Sequence, residues 1–106
     1  MILSILVRLV ADFFAGAFLC NAIPHLASGL LGQAFPSPFA RPPGQGLSSP
    51  VVNFLWGFLN FVIALALLSI ARIELGFYTP LIAFLIGFLL LGVMMAHHFG
   101  KVSVKK

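Results

Sequence analysis

The sequence predicts an all-α integral membrane protein with three transmembrane helices and a long Pro/Gly-rich loop between helices 1 and 2. Three observations predict it. The chain is 61% hydrophobic and only 8% charged over 106 residues, whereas a water-soluble domain carries about a quarter of its residues charged. Its mean hydropathy is +1.15, which calls for lipid as the solvent. The apolar residues fall into segments near the ~20 residues that cross a hydrocarbon core of ~30 Å. One domain is expected, spanning 1–106.

Helix 1 is expected over about 2–22. It carries Arg8 and Asp12, an i, i+4 pair that shares one helical face. Charges at this depth are expensive and turn inward or pair. Ser4, Ala11, Ala15 and Gly16 share their sector, while Leu6, Val7, Val10, Phe14 and Phe18 fill the rest. The small, polar side is expected to meet protein and the bulky side lipid. Arg8 and Asp12 interrupt any signal-like apolar core, so this segment is expected to stay in the mature protein. Pro24 is expected to end or kink the helix.

The loop is assigned to 23–49. Its run Phe-Pro-Ser-Pro-Phe-Ala-Arg-Pro-Pro-Gly at 35–44 excludes regular helix and favours extended or polyproline-like backbone. Phe35 and Phe39 favour an ordered loop seated at the interface.

Helix 2 is expected over about 50–71. Ser49 is a suitable cap, and Pro50 fits the first turn, where its missing N–H costs nothing. Asn53, Gly57, Asn60, Ala64 and Ala71 form one narrow stripe. Small residues there admit a second backbone, and the asparagines can bond across the seam. A polar hairpin at 72–79, with Arg72 and Glu74, leads to helix 3 at about 80–99. Gly100 is its expected stop, and 100–106 its basic tail.

Three antiparallel crossings bring Asn21, His25, the loop, Asn53, Trp56, His97 and His98 to one membrane face. Lys101, Lys105, Lys106 and Arg41 flank that face and outnumber Arg72. The positive-inside rule then sets the C-terminus in the cytoplasm and the N-terminus outside, in a bacterial inner (plasma) membrane. The formal charge of +4 reads as contact with anionic headgroups. There is no basic stripe or aromatic platform for nucleic acid.

Candidate sites fall into three groups. Arg8 and Asp12 read either as a proton or ion relay or as a structural pair. Asn21, His25, Asn53, Gly57 and Asn60 form a helix-packing or ligand face. His25 and His98 are conceivable ligands for a metal or haem. Against this, His97 and His98 are adjacent and cannot both aim at one centre, and no carboxylate stands nearby to orient them. No cofactor is expected. The two carboxylates lie in different segments, and no nucleophile set or phosphate-binding glycine loop is present, so catalysis is not expected.

Asn-Ala-Ile-Pro-His at 21–25, Phe-Pro-Ser-Pro-Phe-Ala at 35–40, Gly-Leu-Ser-Ser-Pro at 46–50 and Asn-Phe-Leu-Trp-Gly at 53–57 give the chain its resemblance. It resembles a group of small bacterial integral membrane proteins of uncharacterised function, over its central half. That resemblance implies no activity, cofactor or assigned residue. Small multidrug-type exporters share its length and an acidic residue in the first helix, matched here by Asp12. They have four helices and lack such a proline loop. The expected function is a non-enzymatic interaction or accessory subunit, partnered by the bilayer and by itself or another membrane protein. The alternative is a homo-oligomeric small-solute or proton-coupled transporter, and a distant third is a metal- or haem-binding membrane protein.

Overall fold

A computed structural model describes residues 2–70 and 78–105. In chain order these form α1 (Ile2–Leu30), β1 (Phe35–Pro36), β2 (Leu47–Ser48), α2 (Pro50–Ile70) and α3 (Tyr78–Lys105). Among the described residues, three helices are long and apolar enough to cross a membrane. Among the described residues the fold is all-α apart from one short ladder, as befits a multi-pass membrane protein. The hairpin expected at 72–79 falls almost wholly on 71–77, outside the described residues.

Helix α1 runs past its expected end at 22, with Pro24 inside it. A proline removes one backbone hydrogen bond, but unwinding in lipid would expose many more backbone groups with no water to satisfy them. The real stop is Gly32, with φ of 69°. Its N–H donates to the Gly29 carbonyl at 3.1 Å, and the Gln33 N–H to the Ser28 carbonyl at 2.8 Å. This pair of bonds, with a left-handed glycine between, is a Schellman stop. At 29 residues, α1 is ~44 Å long, so it outreaches the hydrocarbon core.

Helix α2 begins as expected. The Val52 N–H donates to Ser49 Oγ at 3.2 Å, and Pro50 opens the first turn. Helix α3 corrects the C-terminal boundary: it continues through Gly100 to Lys105, so residues 100–105 of the expected tail are helical. One interior glycine costs a helix only ~1 kcal/mol relative to alanine.

Helix α1 is the central element: α2 and α3 each pack along it and barely meet one another. Both seams depend on missing side chains. A Cβ on Gly16 would collide with the Phe84 carbonyl, and one on Gly87 with the Phe13 carbonyl. On the other seam, a Cβ on Gly57 would lie 2.7 Å from the Leu26 backbone nitrogen, and one on Gly29 2.7 Å from that of Phe54. The buried residues are accordingly small: Ala11, Ala15, Ala22 and Ala64. In lipid, helices gain little from the hydrophobic effect on meeting, so close van der Waals approach must hold them. Phe14, Leu55, Leu65, Leu85 and Leu89 are exposed and form the hydrocarbon-facing surface.

The expected loop at 23–49 is therefore shorter, because 23–30 are helical. Residues 31–49 form a compact cap. Phe35 pairs with Ser48 and Pro36 with Leu47, antiparallel. The turn between them is folded on itself: the Ser37 carbonyl accepts from the Ala40 and Gly44 N–H groups at 3.2 and 2.8 Å. Gly44 has φ of 71°, a conformation that glycine adopts without penalty.

Candidate functional site

Asn53 is the hub of the capped end. It sits one turn into α2 and is fully buried, at 0% exposure. Its Nδ2 donates to the carbonyls of Phe35 (2.9 Å), Ser48 (3.2 Å) and Ser49 (3.1 Å). Carbonyls only accept, so this fixes the amide orientation and turns Oδ1 toward His25. His25 Nδ1–H then donates to Asn53 Oδ1 at 2.7 Å. One amide thus joins α1, both ends of the cap and α2. His25 is itself 2% exposed, with its ring edge-on to Phe35 at 5.4 Å and to Trp56 at 6.5 Å.

Two turns further along α2, the pattern repeats in simpler form. Asn21 Nδ2 donates to Asn60 Oδ1 at 2.9 Å, while Asn60 Nδ2 donates to the Trp56 carbonyl at 2.8 Å. The packing-face residues Asn21, His25, Asn53, Gly57 and Asn60 therefore meet on the α1–α2 seam. The i, i+4, i+7 spacing of the α2 members puts them on one side of the helix, facing the α1 turn that carries Asn21 and His25.

Helix α3 closes the third side. His98 Nε2–H donates to the Gly44 carbonyl at 2.7 Å, and Phe99 packs against Phe35 with ring centres 4.8 Å apart. His25 and His98 line one cleft, but each is committed to its own bond, to Asn53 and to Gly44 respectively. Among the described residues no three His, Cys, Asp or Glu side chains gather as metal ligands would. His97 is exposed.

The cap has participants that the residue pattern did not single out. Ser37 is buried and its Oγ lies 2.6 Å from Ser48 Oγ, while also accepting the Phe39 N–H at 3.1 Å. The signal was present in Pro-Ser-Pro and Ser-Ser-Pro: a serine between prolines is a polar group with few backbone donors nearby. Trp56 is the other. Its Nε1–H is buried and meets no acceptor among the described residues, at a cost of about 1–3 kcal/mol for an unmade bond.

Asp12 lies on α1 nine residues before Asn21, ~14 Å along the helix. It is buried at 3% exposure, and its Oδ2 has no hydrogen-bond partner among the described residues. Arg8, one turn away, is half-buried. Asp12 is the one Asp or Glu among the described residues, and its position does not bring it to the His/Asn network.

No protein-family model, curated protein or solved structure matches the chain. The likeness to small bacterial membrane proteins rests on the four motifs alone.

Proposed function

We propose that this protein is a non-enzymatic interaction subunit of a membrane assembly, and that its cap is the docking element. One observation carries the reading: the polar side chains of the α1–α2 seam, which a translocation path would need, are consumed in bonds within the chain. Asn21, His25, Asn53 and Asn60 all bond within the chain, which leaves their seam occupied by packed helices. What the cap presents outward is a side chain pair suited to a partner, with Phe39 64% exposed and Arg41 exposed beside it. In this reading the cap and C-terminus face the cytoplasm from a bacterial inner membrane, supported by the exposed cations Arg41 and Lys101 at that end.

Native mass spectrometry of the chain, gently extracted from its own membrane, tests this. A stoichiometric second membrane protein is expected, lost in Phe39→Ser and retained in Asp12→Asn. A chain that flies only alone would sink the proposal.

A transporter is the second reading, favoured by Asp12. A buried carboxylate oxygen without a partner inside a membrane helix is the usual mark of a proton or ion path. There the chain assembles as a homo-oligomer, and Asp12→Asn abolishes flux into proteoliposomes without changing the oligomer.

A further inference from the structure

Asn21 and His25 each spend one polar atom within the chain and keep another. Asn21 Nδ2 donates to Asn60 Oδ1 at 2.9 Å, and Asn60 is held in that orientation by its own bond to the Trp56 carbonyl. Asn21 Oδ1 is therefore left as an acceptor. His25 carries a proton on Nδ1, facing Asn53 Oδ1, so the neutral ring has a bare acceptor at Nε2. Neither acceptor has a hydrogen bond among the described residues. Both are also open to a water-sized molecule, because the sealed, unpartnered side-chain atoms among the described residues are Asp12 Oδ2 and Trp56 Nε1.

Asn21 and His25 line one cleft of about 140 Å³ at the capped end. They stand one turn apart on α1, on one face, with Cβ atoms ~6 Å apart, so a single group can reach both. The side-chain donors of the cleft are engaged or sealed. His98 Nε2–H is on the Gly44 carbonyl, Asn21 Nδ2 is on Asn60, and Trp56 Nε1 is occluded. What the cleft calls for is a donor. Trp56 and Phe99 add aromatic rings to its wall, and ring faces attract cations. No Asp or Glu among the described residues lines it, so a cation entering must bring its own counter-charge. Arg41 and Lys101 are exposed and lie within three residues of the lining residues Pro38, Gly44 and Phe99. They offer that negative charge a partner outside the cleft.

We propose that this cleft binds the headgroup of a phosphatidylethanolamine-type lipid, a zwitterion whose ammonium carries N–H donors. The ammonium donates to Asn21 Oδ1 and His25 Nε2 beside the Trp56 and Phe99 rings, and the phosphate stays outside with Arg41 and Lys101. Phosphatidylcholine carries the same charges but no N–H, so the site discriminates between the two headgroups. A lipid fits better than a soluble amine on two counts. Trp56, in the second turn of α2, places the cleft at headgroup depth, and a soluble amine brings no phosphate for the outer cations. The site is independent of the docking role proposed for the cap.

The full chain, made with isotope-labelled histidine, is placed in phosphatidylcholine nanodiscs and followed by nitrogen NMR at pH ~8 while phosphatidylethanolamine is added in steps. Its three histidines are told apart with His97→Gln and His98→Gln. The His25 Nε2 signal is expected to move upfield, as a bare ring nitrogen does on accepting a hydrogen bond, and to saturate. Arg41→Gln with Lys101→Gln, both at exposed positions, is expected to raise the half-saturation fraction ~5-fold or more. Asn21→Leu is expected to raise it ~10-fold, with an unchanged His25 Nδ1–H signal showing that the bond to Asn53 is intact. An Nε2 signal that stays fixed at every lipid fraction, or a shift that neither variant weakens, overturns the proposal. A shift given by soluble ethanolamine in phosphatidylcholine discs, but not by phosphatidylethanolamine, overturns the lipid and makes the ligand a free amine.

Discussion

His25 and Asn53 are joined by a 2.7 Å hydrogen bond across 28 positions of sequence, and through Asn53 that bond reaches the cap. Neither helix would hold the cap alone: His25 fixes where the amide oxygen points, and the amide nitrogen then fixes the carbonyls of Phe35, Ser48 and Ser49. Replacing Asn53 by leucine keeps the number of side-chain heavy atoms but leaves His25 Nδ1–H and the carbonyls of Phe35 and Ser48 without the amide, while the Ser49 carbonyl keeps the backbone N–H of residue 53 at 3.0 Å. Buried groups left unsatisfied cost about 1–3 kcal/mol each, although relaxation recovers part of that. Asn53→Leu is expected to destabilise the folded chain by ~3 kcal/mol. Hydrogen exchange in detergent should show Ala40 and Gly44 amides exchanging faster while the middle of α3 stays protected. Unchanged protection of those two amides would mean the cap stands without Asn53.

The α1–α3 seam predicts a second, sharper loss. Gly16 and Gly87 lie against each other's helix backbone, and a Cβ on either would overlap a carbonyl oxygen. The clash is with main chain, which cannot rotate aside. Gly87→Ala is expected to cost more than 2 kcal/mol, measured by denaturant unfolding in mixed micelles. Gly100→Ala, where nothing lies within 4 Å, is expected to be neutral or slightly stabilising, since alanine is the better helix former. Equal stability of the two variants would remove the seam from the account.

The stripe that makes the α1–α2 seam was readable from residue spacing, and so was the start of α2. Asn53, Gly57, Asn60 and Ala64 recur at helical spacing, and all four are buried. Ser49-Pro50 is a start signal whose meaning does not depend on tertiary context. The end of α1 was not readable in the same way. Pro24 looks like a breaker by propensity, yet a helix in lipid has no alternative partners for its backbone and continues to a glycine stop eight residues later. The cap was only half legible. Its prolines excluded helix, but the Ser37–Ser48 contact and the His98–Gly44 bond join positions 11 and 54 apart in sequence, which no local pattern announces.

Asp12 separates stability from function. Its carboxylate is buried, and Oδ2 lacks a partner among the described residues, so that oxygen adds nothing to the fold. Asp12→Leu is expected to leave stability unchanged or raise it by ~1–2 kcal/mol, because an unsatisfied buried group is replaced by hydrocarbon. Unfolding of the purified variant in mixed micelles checks this. A gain would show that the residue is retained for something other than folding. A loss of 2 kcal/mol or more would instead make Asp12 a structural member of the seam, and would weaken the transporter reading.

The contact between α3 and the cap rests on two neighbouring residues of different character. His98 gives one hydrogen bond to the Gly44 carbonyl, on an exposed side chain, worth ~1 kcal/mol net. Phe99 gives an aromatic contact to Phe35, worth ~0.5–1.5 kcal/mol beyond its area. These two residues tie the cap to the end of the third helix, beside Val102, which is buried there and faces Ala34 and Leu47 across a shared hollow. His98→Ala alone is expected to loosen the tie only slightly, and His98→Gln, which keeps a donor, to restore most of it. His98→Ala combined with Phe99→Ala is expected to free the end of α3 from the cap. Spin labels at Ala40→Cys and Ser103→Cys, with Cys20→Ser, would report this as a broadened distance distribution in the double variant. A distribution as narrow as the parent's would mean that packing along α1 alone holds α3 in place, and that the cap contact follows the helix rather than fixing it.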